Sequence, residues 1–72
     1  MNTSLNYATV RTDAGLFREY MAVRFGQTFA FGGSMRRYHQ GMKLAAELAR
    51  LAGLTVEEVV EAAKADAELI YG

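Results

Sequence analysis

Cysteine, proline and tryptophan are absent from this chain, and histidine occurs once. Without Cys there is no disulfide, no thiolate metal site and no Cys nucleophile. With one His, a His-rich metal site would need ligands from more than one copy. An excess of charge is lacking too: eight Lys and Arg balance eight Asp and Glu, for a formal net charge of zero. That balance argues against a strongly basic surface laid on nucleic acid or anionic lipid. No apolar run approaches the roughly 18 residues of a membrane span. The start, MNTSLNYATVRT, lacks the basic and apolar regions of a secretory signal. A cytoplasmic protein with no membrane partner is expected. Disorder is excluded by a hydrophobic fraction of 51%. The 72 residues read as one small domain, 1–72. A core this small must pack very efficiently, form an oligomer or dock on something larger.

The pattern predicts a mainly α fold. Residues 1–12 are polar and β-branched and read as extended or partly ordered. Residues 14–24 fit a shorter N-terminal helix, capped by Thr12 or Asp13, although a strand pattern competes there. Gln27–Phe31 alternates at period two, so a short β element from residues 5–11 and 27–31 is expected. Two long helices follow and are expected to pack as a hairpin. The first starts at Ser34 and stops at Gly53, a natural left-handed cap. The second starts at Thr55, with Glu58 completing a capping box. Its Val56, Val59, Val60, Ala63, Ala67, Ile70 and Tyr71 share one face. The apolar or small arc of the first is about 220° wide, roughly twice what one neighbour needs. Two neighbours are therefore required. They are the last helix and either residues 13–31, a second copy or a partner. Gly41, Ala45 and Ala49 make a smooth seam for close approach of another backbone.

Few residues suit chemistry. His39 has no Cys to pair with, and no Ser lies in a nucleophile-elbow context, so His39 reads as a surface residue. Glu57, Glu58 and Glu61 crowd the start of the last helix, where acids offset the dipole. No catalytic residue, metal or cofactor is expected, and the chain is not expected to be an enzyme. Arg36 and Arg37 sit in the first turn of a helix, where the dipole disfavours cations. Behind Gly32-Gly33 they suit an anion, a nucleic-acid backbone or an acidic patch on a protein. The solvent stripe of that helix is Arg36, Gln40, Lys43, Glu47 and Arg50. Phe25, Phe29 and Phe31 either fill the core or form an aromatic binding patch.

Residues 45–64, AAELARLAGLTVEEVVEAAK, resemble a helix-turn-helix unit, with Ala49, Gly53 and Val59 at the motif's spacing and Leu48 and Leu54 as flanking apolars. The resemblance implies two helices packed around a Gly turn, the second entering the major groove. Here that helix offers Glu57, Glu58 and Glu61 where phosphates must be met. The favoured expectation is therefore a non-catalytic protein-interaction module: a small inhibitor, adaptor or subunit of a larger complex, as phage or mobile elements encode. Its expected partner-binding residues are Phe29, Phe31, Arg36, Arg37, Tyr38, Gln40, Lys43 and Arg50. The alternative is a small homodimeric DNA-binding regulator that uses the basic stripe or the helix-turn-helix-like unit.

Overall fold

A computed structural model describes residues 5–72, and among them the regular structure is all helical. The elements are α1 (Tyr7–Val10), α2 (Ala14–Phe31), α3 (Met35–Ala52) and α4 (Val56–Tyr71). Each start is fixed by a side chain that accepts from a free N–H of the first turn. Asn6 caps α1 through Thr9 N, Asp13 caps α2 through Leu16 N, and Ser34 caps α3 through Arg37 N. Thr55 and Glu58 form the expected reciprocal box on α4, at 3.1 and 2.9 Å. The stop of α3 is equally defined. Gly53 takes a φ of 73°, and Leu54 N donates to Ala49 O at 2.9 Å.

The expected β element does not form. Residues 7–10 make one helical turn, and residues 27–31 are the last turn of α2. Thr9 and Val10 enter a helix despite their β-branching because Asn6 caps the turn and Val10 is fully buried. The extended reading of residues 1–12 fails there for the same reason, and residues 1–4 lie outside the described residues. The alternation at Gln27–Phe31 is overridden by helical packing: Phe25 and Phe29, four apart, both face Gly41 of α3. The helix expected over 14–24 thus runs seven residues further and matches α3 in length.

α2 is the hub, touching α1, α3 and α4. Its buried residues are Phe17, Met21, Ala22, Phe25 and Gly26, whereas Leu16 and Val23 are exposed. Tyr7, Phe17, Tyr20 and Phe25 form a chain of edge-to-face rings with centroids 6.2–6.3 Å apart. α4 packs more broadly on α2 than on α3, its neighbour in sequence. The approach there is close: a methyl on Gly26 would fall 2.8 Å from the Ala63 carbonyl oxygen. The expected seam at Gly41, Ala45 and Ala49 is filled instead by the rings of Phe25 and Phe29 and by the core. The radius of gyration, 11.1 Å, equals the about 11 Å expected for a compact chain of this length. No described helix is long and apolar enough to cross a membrane.

Candidate functional site

The α2–α3 corner gathers several of the expected binding residues. Gly32 and Gly33, with φ of 90° and 149°, turn the chain, and Ser34 restarts it. Every residue from Phe31 to Gln40 is exposed. Phe31 is 57% exposed and Met35 65%. The Arg36 side chain has no carboxylate partner among the described residues. Arg37 is different. Its Nε donates to the Arg24 carbonyl at 3.3 Å, and its guanidinium lies 5.4 Å from the centre of the Phe25 ring. Arg37 therefore ties α3 to α2. Phe29 is half-buried, with its ring against Gly41 and its edge toward Tyr38 at 5.9 Å. His39 is exposed, with its ring edge-to-face against Tyr38 at 5.6 Å.

The later part of the basic stripe, Lys43 and Arg50, is not brought into that corner. Gln40 and Lys43 line a shallow groove of about 490 Å³ with Tyr7, Tyr20, Phe25, Leu44 and Glu47. Glu47 breaks the run of positive charge and accepts a hydrogen bond from the Tyr7 hydroxyl. Donation to that carboxylate holds the Tyr7 hydroxyl above its ordinary pKa. Arg50 sits in the last turn of α3, where it complements the helix dipole. Fourteen residues separate it from Arg36, about 21 Å along the axis.

A second feature needs both C-terminal helices and escapes a reading of one helix at a time. Tyr38 and Met42 of α3 face Val56, Glu57, Val60 and Glu61 of α4 across an open groove of about 400 Å³. Its walls are apolar and its α4 rim is acidic. Glu57 and Glu61 are exposed, and Glu61 meets Lys64 at 3.4 Å. Met35 continues the apolar row on α3, at i, i+3, i+7 with Tyr38 and Met42. The sequence signal for this groove was the over-wide apolar arc of α3.

A third patch lies at the far end of α4. Leu69 is 86% exposed and Ile70 53%. They flank the Arg18–Asp66 ion pair, whose closest N–O distance is 2.8 Å. Ile70 and Tyr71, expected on the buried face, lie outside the core at the edge of the α2–α4 contact, where the Tyr71 hydroxyl donates to the Val23 carbonyl of α2 at 3.3 Å. No cluster of three or more His, Asp or Glu with metal-binding geometry occurs among the described residues. No protein-family model, curated protein or solved structure matches the chain.

Proposed function

We propose that this chain is a non-catalytic protein-binding module that acts as a small inhibitor, adaptor or subunit on a larger protein. The observation that carries this reading is the unbroken exposed run Phe31–Gln40. It offers Phe31, Met35 and Tyr38 beside an unpaired Arg36. Exposed aromatic and Met side chains beside an Arg are the composition of binding hot spots. Of the eight residues expected to bind, this reading keeps Phe31, Arg36, Tyr38 and Gln40 as contacts. Arg37 and Phe29 become supports, and Lys43 and Arg50 lie outside the surface.

Affinity capture from cell lysate, with and without nuclease, tests it. The expected result is a discrete protein retained after nuclease and reduced at least tenfold by Phe31→Ser with Arg36→Glu. Both side chains are exposed, so the double variant keeps its fold. Unchanged capture by that variant rejects this surface.

The packing around Gly53 favours a second reading, a DNA-binding regulator. Leu48, Ala49 and Val59 are buried around that left-handed turn, as a helix-turn-helix unit requires. Against it, Glu57, Glu58 and Glu61 of the would-be recognition helix face solvent. Salt-sensitive retardation of duplex DNA, with capture lost on nuclease, would put this reading first.

A further inference from the structure

We propose that the groove between α3 and α4 seats a basic amphipathic helix from a partner protein. The proposal rests on the protein-binding reading and names the chemistry of what is bound. Three observations lead to it. The groove runs between two helices, and no strand edge among the described residues could take up an extended peptide. Its walls are Tyr38, Met42, Val56 and Val60, all left partly open to solvent by the fold. Its volume of about 400 Å³ admits a row of side chains, so an apolar ridge enters while the helix body rests on top. Met35 and Met42 add flexible, polarizable side chains that adapt to such a ridge.

Charge selects the occupant. On the α4 rim Glu57 and Glu61 are exposed, and Lys64 reaches Glu61 alone at a long 3.4 Å. A segment with Lys or Arg flanking its apolar row meets complementary charge. Phosphates of nucleic acid or of anionic lipid would meet like charge there.

The probe is a synthetic 18-residue helical peptide of Leu and Lys, with Leu at i, i+3, i+4 and i+7. A Leu and Glu counterpart with the same apolar row is the control. Both are titrated against the full chain, with amide NMR mapping and isothermal calorimetry at low and high salt. The Leu/Lys peptide is expected to bind at least tenfold more tightly than the Leu/Glu peptide and to weaken with salt. Its shifts should centre on Tyr38, Met42, Val56 and Val60. Glu57→Gln with Glu61→Gln should weaken it three- to tenfold, and Met42→Gln should weaken both peptides. Circular dichroism establishes that each variant is folded before titration.

Equal binding of the two peptides, shifts centred on Leu69 and Ile70, or no binding of either would overturn the proposal. So would self-association of the chain alone with Tyr38 and Val60 protected, because the occupant would then be a second copy. These failures leave the protein-binding reading standing, since lysate capture depends on Phe31 and Arg36. Capture that is lost on nuclease removes that reading whatever the peptides do.

Discussion

Gly26 sets the distance between α2 and α4. An added Cβ would lie 2.7 Å from the Ala67 methyl and 2.8 Å from the Ala63 carbonyl. Backbone on one side and a short methyl on the other have nowhere to go. Gly26→Ala should therefore lose about 1–3 kcal/mol to overpacking, more than the about 1 kcal/mol that Ala gains in helix propensity. Urea denaturation would show a lowered midpoint, and a raised midpoint would mean that the helices can separate freely. Gly41 makes a useful contrast, because its Cβ would meet the rings of Phe25 and Phe29 at 2.8–3.1 Å, and ring edges can tilt. Tyr7 is the other informative residue. Its hydroxyl pKa is raised in the folded state, first by its hydrogen bond to Glu47. The stability from that bond is full below the unfolded value of about 10 and is lost as pH rises through the folded value. Tyr7→Phe should therefore lower stability at neutral pH and narrow its gap to the parent chain above that range. Denaturation curves at several alkaline pH values measure the gap, and a gap constant with pH would assign Tyr7 to packing alone.

Among the elements, α4 carries the most locally specified start. Thr55 and Glu58 exchange hydrogen bonds, and acids occupy the first turn. Thr55→Ala should cost about 0.5–2 kcal/mol, read as a drop in thermal midpoint. Because the loss is confined to the cap, the burial of Val59 and Ala63 in the core should survive in the variant. Such caps were legible in the sequence because they depend on four neighbouring residues. So was the two-neighbour demand of α3, which α2 and α4 fulfil. The final turn of α2 was not legible. Five alternating residues at 27–31 fit a strand locally, and only the distant Gly41, which receives Phe25 and Phe29, settles them as helix. α2 was hard to read for a related reason. A helix touched by three others spreads its apolar residues around its circumference, and a single-face pattern is lost.

At the scale of the whole molecule, side chains that act singly were easier to read than surfaces shared between helices. Arg36 is exposed at the helix start as expected, and Phe31, which the sequence left open between core and binding patch, is exposed too. Arg37 and Phe29 were indistinguishable from them in sequence, yet each is held by α2 or α3. The groove of Tyr38, Met42, Val56 and Val60 exists only once two helices are set side by side. The close contact of α2 with α4 was equally hidden, because nothing in the sequence pairs Gly26 with the distant Ala63 and Ala67. Yet alanine is the commonest residue of the interior: Ala22, Ala45, Ala49, Ala63 and Ala67 are five of the eleven buried apolar residues among those described. Their methyls fix the spacing of the helices, so enlarging one strains two elements and trimming one to glycine weakens its helix. Descent from this chain would thus be constrained at its smallest side chains, while its larger and more conspicuous outer residues drift. Kinship among such proteins would be written in the positions of their alanines.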